Sequence, residues 1–172
     1  MVCVRINTVG GGHMTQDTGK TAELIAGLQG DLAREYKAVI QYVIYSQKID
    51  RAQYQNIATE LEAHAHEELD HAISIAKQLD YFGAYPTHQP EPVEVSEVNE
   101  EMLWFDLRAE DTTIENYRQR IRQAEALGEY ALAEVLRGIV VQEQDHQIDL
   151  ASALGVTPEP SRRKQEAQQS GQ

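Results

Sequence analysis

Residues 61–82 read LEAHAHEELDHAISIAKQLDYF, and apolar side chains recur along this stretch at the three- and four-residue spacing of one helix face. Polar residues interrupt that face near its middle. The face runs in order through Leu61, His64, Glu68, His71 and Ile75. Because such a face is normally buried against other helices, the sequence places two histidines and a glutamate where a core would be apolar.

Three further stretches carry an apolar face of the same kind, and no stretch shows the alternation expected of strands. The pattern predicts helix A over about 21–49, helix B over 51–82, helix C over 96–127 and helix D over 129–154. Spacings of three, four and seven residues are typical of helices packed nearly parallel or antiparallel. The predicted fold is therefore an all-α four-helix bundle.

The connections between these helices predict how the bundle is assembled. Very short turns join A to B and C to D, the second at Gly128, so each pair is expected to form an antiparallel hairpin. Between B and C, the Pro-rich residues 83–95 are long enough to cross the length of the bundle. The expected architecture is an antiparallel bundle with a long crossover between helices B and C.

Both ends of the chain are predicted to lie outside the bundle, which occupies residues 21–154. Residues 1–20 are expected to be disordered, and Gly10-Gly11-Gly12-His13-Met14 is typical of a linker joined to a remnant of an expression tag. Residues 155–172 include Pro158 and Pro160 and few apolar side chains, so a flexible polar tail is expected there.

Composition narrows the classes of function. The 172 residues include 28 acidic and 15 basic side chains, a net charge of −13 that makes nucleic acid an unfavourable partner. No apolar run exceeds four residues, so neither a membrane partner nor a signal peptide is expected, and the expected location is cytoplasmic. Cys3 is the one cysteine, which excludes an internal disulfide and a thiolate zinc site.

The inward faces of all four helices carry glutamates, and two of them add a histidine one turn later. These six residues are Glu35, Glu68, His71, Glu110, Glu143 and His146. Four uncompensated carboxylates in a bundle core would cost many kcal/mol, and no Lys or Arg occupies these faces. Two divalent cations would balance the four charges, and carboxylate oxygens with one imidazole per metal suit iron or manganese.

An internal repeat supports the same interpretation. Glu35 and Glu68 are 33 residues apart, as are Glu110 and Glu143, and each Glu-x-x-His histidine follows its glutamate by three residues. The two halves of the sequence are offset by 75 residues throughout. Two related hairpins facing each other would form the pseudo-twofold site that two equivalent metals need.

Other polar residues on these helices have more than one interpretation. Tyr42 and Tyr117 could be core aromatics, or could hydrogen-bond or donate an electron near the metals. His64 is interpreted as a core or pore-lining histidine. Asp31 and Asp106 could orient the histidines or could be solvated charges. Three residues of helix B are expected to face solvent or a neighbouring subunit: Glu62, His66 and Glu67.

The sequences Glu68-Leu69-Asp70-His71 and Glu143-Gln144-Asp145-His146, with Glu35 and Glu110, resemble the di-iron carboxylate proteins of the ferritin-like superfamily, and bacterioferritin most of all. The resemblance covers about residues 21–154 and implies a ferritin-like bundle with two iron ions per chain. It implies that Glu68 and Glu143 bridge the irons, that Glu35 and Glu110 are terminal ligands, and that each histidine binds one iron. The implied activity is a ferroxidase, in which dioxygen or peroxide oxidises Fe(II), in iron storage or detoxification.

Two features depart from the bacterioferritin pattern. Leu69 stands where bacterioferritins carry a haem-binding methionine, so no haem is expected. A polar, Pro-containing tail stands where the family has a fifth helix, so a homo-oligomer smaller than a 24-subunit cage is expected, a dimer or larger. The alternatives are a rubrerythrin-like peroxidase, a di-metal oxidase acting on another substrate, and a non-enzymatic assembly protein stabilised by metal.

Overall fold

The computed structural model describes residues 11–159, with side chains from residue 18 onward. This part of the chain contains four long helices and no strand. They are α1 (Gly11–Lys48), α2 (Gln55–Tyr81), α3 (Asn99–Leu127) and α4 (Tyr130–Leu154), with a 3₁₀ turn, Ala52–Tyr54, ahead of α2. The all-α prediction is therefore confirmed, and the four helices correspond in order to the predicted helices A to D.

The largest difference from the predicted helix bounds is at the start of α1. This helix begins at Gly11 and not near Thr21, so the part of the predicted disordered segment that the structure describes is helical. Leu24 and Leu28 anchor the helix in the core, and the preceding residues extend its backbone hydrogen bonding at little cost once that turn exists. Residues 1–10, and residues 160–172 of the predicted tail, lie outside the described residues.

The ends of α3 and α4 are set by local hydrogen bonding. The Ser96 hydroxyl accepts the Val98 N–H and donates to the Glu101 carboxylate, so a turn precedes α3 and the helix begins at Asn99. Gly128 and Gly155 end α3 and α4 with φ of 76° and 68°. Glycine adopts this left-handed conformation without the steric cost of a Cβ, which permits the sharp turn between α3 and α4.

The apolar core is divided into two clusters along the bundle. One cluster packs around Leu28, Ile75 and Leu136, and the other packs around Leu61 and Leu107, all of them buried. The six inward polar residues come between the members of these clusters in each helix. The clusters therefore shield a polar layer in the middle of the bundle from both ends.

The segment between α2 and α3 runs along α1 and is attached to it by hydrogen bonds. The Glu91 N–H donates to the Ala33 carbonyl at 2.9 Å, and the Tyr45 hydroxyl donates to the Glu94 carbonyl at 2.7 Å. Gln29 contacts the same segment at Tyr85. This is the predicted long crossover. None of the helices in the described part of the chain has the length and apolar character needed to span a bilayer.

Candidate metal centre

All six inward polar residues are buried and lie together between the two apolar clusters. Each of them has 3% or less of its surface exposed, and Glu143 has none. The metal centre, as we call this group, consists of Glu35, Glu68, His71, Glu110, Glu143 and His146. All six were singled out in the sequence by the interruption of the apolar faces, and the fold brings them to one place.

The donor atoms form two overlapping groups that share two glutamates. In the first, which we call the His71 site, oxygen and nitrogen atoms of Glu35, Glu68, His71 and Glu143 lie within 4.8 Å of one another. In the second, the His146 site, atoms of Glu68, Glu110, Glu143 and His146 do so. Glu68 and Glu143 belong to both groups, and the bundle supplies one further glutamate and one histidine to each.

Two tyrosines hold the unshared glutamates from the opposite helix. The Tyr42 hydroxyl on α1 donates to Glu110 on α3, and the Tyr117 hydroxyl on α3 donates to Glu35 on α1. Both tyrosines have 1% of their surface exposed. Of the interpretations open for these tyrosines, hydrogen bonding beside the candidate metal ligands is the one that their contacts favour.

The two histidines turn Nδ1 toward the carboxylates of the metal centre and Nε2 away from the centre. Nδ1 of His71 lies 3.2 Å from Glu68 Oε2 and 3.3 Å from Glu143 Oε1. Nδ1 of His146 lies 2.9 Å from Glu68 Oε1. The outward Nε2 of His71 contacts the Gln142 amide oxygen at 3.0 Å, whereas that of His146 contacts the Glu67 carboxylate at 2.8 Å. Each histidine ring is thus held by one side chain of the other helix, His71 by Gln142 and His146 by Glu67.

Glu67 and Gln142 are the residues that the sequence reasoning missed. Glu67 was expected to face solvent or a neighbouring subunit, but it is half-buried and bonded to His146. Gln142 was not singled out. A signal was present, because the 75-residue offset of the repeat makes the two positions equivalent and each stands four residues before a histidine of its own helix. Side chains at that spacing lie one turn apart on the same side of a helix.

Asp31 and Asp106 do not contact the histidines, so the prediction that they could orient them is wrong. Both are buried, which also excludes the solvated alternative. Asp31 pairs with Arg34 and with Arg120, the latter at 2.9 Å, and Asp106 accepts the Gln41 amide at 2.8 Å. Their partners lie on α1 and α3, whereas both histidines lie on α2 and α4.

Burial and mutual repulsion perturb the acid–base behaviour of the centre. Burial, with the negative charges of Glu68 and Glu143, raises the pKa values of Glu35 and Glu110 well above the usual range. Burial alone would lower the pKa of His71 and His146, but the carboxylates against their Nδ1 atoms raise both. Without metal, therefore, protons occupy the site and reduce the repulsion among the carboxylates.

The polar atoms at the middle of the centre fit a metal better than they fit one another. Several buried atoms lie within 3.6 Å of an imidazole nitrogen or a carboxylate oxygen but make no hydrogen bond of good geometry within the described structure: Glu35 Oε2, Glu68 Oε1, both carboxylate oxygens of Glu143, and His146 Nδ1. Buried polar groups without a well-formed hydrogen bond are rare because each costs about 1–3 kcal/mol. Carboxylate oxygens and imidazole nitrogens are ligands that iron and manganese accept, and they converge here from four helices.

A cavity of about 220 Å³ opens beside the centre between α1 and α3. Its wall includes Glu35, Glu68, Glu110 and Glu143, together with apolar groups such as Phe105. Crossover residues Glu91 and Glu94 also line it, and they pair with Arg34 and Lys37 of α1. Small molecules can therefore reach the carboxylates from this side of the bundle.

A four-helix bundle with carboxylate and histidine side chains facing one another at its middle is the arrangement found in the class of di-metal carboxylate proteins. Comparison with known proteins identifies the family within that class. The family model for the ferritin-like domain matches residues 25–159, so this chain belongs to the ferritin-like domain family.

Two bacterioferritins are similar to this chain in sequence. A bacterioferritin from Desulfovibrio desulfuricans is 28% identical over 128 residues, covering 74% of this chain and 72% of that protein. A bacterioferritin from Brucella melitensis is 24% identical over 140 residues, covering 77% of this chain and 87% of that protein. The resemblance to bacterioferritin that the motifs predicted is confirmed at the level of the family.

Solved structures agree with these relatives. A ferritin-like di-iron carboxylate protein from Bacillus anthracis superposes with a TM-score of 0.75 at 31% identity, covering 78% of this chain and 97% of that one. The Desulfovibrio desulfuricans bacterioferritin, whose structure contains a di-iron site, superposes with a TM-score of 0.73 at 26% identity, covering 81% and 82%. The ferritin-like four-helix bundle predicted from the sequence is therefore confirmed.

Proposed function

We propose that this protein is a di-iron ferroxidase that oxidises Fe(II) to Fe(III) with dioxygen or peroxide, in iron storage or detoxification. The observation that carries the proposal is the pair of overlapping donor groups, which share Glu68 and Glu143 and hold one histidine each. Two metal sites joined by shared carboxylates are the arrangement in which one oxidant can take electrons from two iron ions. The bacterioferritin relatives and the di-iron neighbour support this assignment.

The donor set favours two iron ions per chain, and manganese is the alternative metal. Glu68 and Glu143 would bridge the ions, Glu35 and Glu110 would each bind one ion, and His71 and His146 would each supply a nitrogen. Hard carboxylate oxygens with a single imidazole accept both ferrous and ferric iron. When bound, the iron pair supplies the electrons that reduce the oxidant.

The surrounding residues prepare this site for metal in three ways. Tyr42 and Tyr117 hold Glu110 and Glu35 in place from the opposite helix. The raised pKa values of those two glutamates mean that they hold protons until a cation displaces them. The apolar clusters close both ends of the centre, so solvent reaches the ligands only from the cavity side and screens their charge less than it would at the surface.

The cavity between α1 and α3 is the route that we propose for the oxidant. It reaches four glutamates of the centre, and its volume of about 220 Å³ is large enough to hold dioxygen or hydrogen peroxide. The same cavity favours one second candidate, a peroxidase or an oxidase acting on a small organic substrate. Dependence on peroxide with an added electron donor, in place of simple Fe(II) consumption, would identify that activity.

We propose that the protein works without haem and as a homo-oligomer. Leu69 directly follows Glu68 on α2, where bacterioferritins carry their haem-binding methionine, and its apolar side chain offers no sulfur ligand. The oligomer is proposed to be smaller than 24 subunits, because Gly155 ends α4 and the polar residues after it do not favour a fifth apolar helix. A cytoplasmic location suits the handling of Fe(II) in this proposal.

The experiment is an anaerobic titration with Fe(II) followed by exposure to air, with Glu68→Ala as the comparison. The wild-type protein should oxidise two Fe(II) per chain rapidly, and the variant should oxidise Fe(II) no faster than buffer. A metal-stabilised assembly protein without activity would bind two ions and show no rapid phase in either protein. Substituting peroxide for air identifies the oxidant.

A further inference from the structure

A second group of potential metal ligands lies between α2 and α4, beside the metal centre. Glu60, His64 and Asp149 each offer a donor atom, and these atoms lie within 4.8 Å of one another. None of the three belongs to the six residues of the centre. Glu60 is exposed and Asp149 is half-buried, whereas His64 has 3% of its surface exposed. The group therefore extends from the bundle surface toward its interior.

The buried imidazole of His64 is available to a cation. Its ring stacks on that of His146 with centroids 4.0 Å apart, and Tyr42 packs edge-on against it at 5.5 Å. Nδ1 makes no hydrogen bond, and Nε2 lies 3.4 Å from Asp149 Oδ2. One ring nitrogen of this buried side chain therefore has no protein partner among the described residues, and imidazole nitrogen is a common metal ligand.

Acidic side chains outnumber cationic ones around Asp149. Burial and the negative charges of Glu60, Asp145 and Glu67 raise the pKa of Asp149, and His146 is the cationic group that opposes them. Among the residues that the structure describes, neither Glu60 nor Asp149 pairs with a lysine or an arginine. Carboxylates gathered around an imidazole without a lysine or an arginine form an environment that attracts a divalent cation.

Three groups of potential metal ligands lie one after another between the bundle surface and the metal centre, and each shares a residue with the next. Glu60, His64 and Asp149 form the outermost group, and His64 also belongs to a group with Glu67 and His146. His146 in turn belongs to the metal centre. Each step shares a ligand with the next, so a cation can move inward without losing all of its protein ligands at once.

We propose that Glu60, His64 and Asp149 form an outer site that binds a divalent cation and passes it to the metal centre through Glu67. The identification of that cation as Fe(II) rests on the proposed function. The existence of the site does not, because other divalent cations with a preference for oxygen and nitrogen ligands would bind there too.

The equilibrium test uses Co²⁺ with the full-length metal-free protein. Calorimetry should show two tight binding events at the metal centre and a third, weaker event that is lost in Asp149→Asn and in Glu60→Gln. Glu62→Gln is the matched control, because it removes the same charge as Glu60→Gln from an exposed position on the same helix outside the outer site. Retention of the third event in both site variants, or its equal loss in the control, would overturn the proposal.

Variants made in protein that already carries Glu68→Ala distinguish failure of the outer site from failure of the proposed function. Glu68→Ala should lose both ions of the centre and keep the outer Co²⁺, and Glu68→Ala with Asp149→Asn should lose all three. If the wild-type protein oxidises no Fe(II) while this pattern holds, the ferroxidase proposal fails and the outer site stands. Absence of the remaining Co²⁺ in Glu68→Ala would contradict the outer site alone.

Transfer to the centre is tested by stopped-flow oxidation at limiting Fe(II). Asp149→Asn should slow the rapid phase and leave its amplitude unchanged, because the centre itself is intact. Glu62→Gln should behave as the wild-type protein does. Equal rates in wild type and Asp149→Asn would show that cations reach the centre by another route.

Discussion

Glu67 and Gln142 make the two metal sites unequal, and exchanging their side chains should exchange the affinities of those sites. His146 Nε2 donates to a carboxylate at 2.8 Å, whereas His71 Nε2 donates to a neutral amide at 3.0 Å. Hydrogen bonds to charged acceptors are roughly twice as strong as neutral ones, and a carboxylate behind an imidazole makes it a better electron donor to metal. The His146 site should therefore bind first.

The size of the expected change in metal affinity depends on which acceptor each substitution leaves beside the histidine Nε2. Loss of a residue that supports a metal-binding histidine costs about 10- to 100-fold in affinity. Glu67→Gln keeps an acceptor for Nε2 and removes only the charge, so we expect a value near the lower end, about tenfold or about 1.4 kcal/mol. Gln142→Glu should strengthen the His71 site by a similar factor, and the double exchange should reverse the order of filling.

Anaerobic Co²⁺ titration by visible absorption and calorimetry measures this effect. Two variants assign each affinity to its site. Glu110→Ala leaves the His71 site intact, and Glu35→Ala leaves the His146 site intact. The reasoning is refuted if Glu67→Gln weakens both sites equally, or if neither exchange changes the two affinities.

Three further predictions concern the pH dependence of stability, the effect of Glu35→Gln and the size of the assembly. Because the pKa values of Glu35, Glu110, His71 and His146 are raised in the folded protein, it binds more protons than the unfolded chain. The melting temperature of the metal-free protein should consequently fall as the pH rises between about 6 and 9, most of the stabilisation being present at the lower pH. If calorimetry shows that the melting temperature rises over that pH range, the raised pKa values are contradicted. Glu35→Gln should increase the thermal stability of the metal-free protein by removing a buried ionisable carboxyl, and should reduce the stabilisation gained from added metal; a less stable metal-free variant would indicate favourable contacts of another kind. Light scattering should give a mass below that of a 24-subunit particle, and truncation after Leu154 should leave it unchanged.

Much of the fold and the centre could be predicted because both depend on periodicity along single helices. Glu35 or Glu143 needs only the rotation of its own helix to be recognised as inward-facing, and the 75-residue repeat relates the two halves. Glu67 could not be assigned in this way, since its contact with His146 depends on how α2 and α4 rotate against each other. The start of α1 at Gly11 was also missed, because residues ahead of Leu24 follow a helix already fixed by the core.

The central claim is that Glu68 and Glu143 join two metal ions in one centre. The most direct measurement is the metal content of wild-type protein and of Glu68→Ala after anaerobic loading with Fe(II) and removal of weakly bound ions. The account predicts two tightly bound ions per wild-type chain and none in the variant, because the bridging carboxylate serves both ions. Two tightly bound ions in Glu68→Ala would contradict the account.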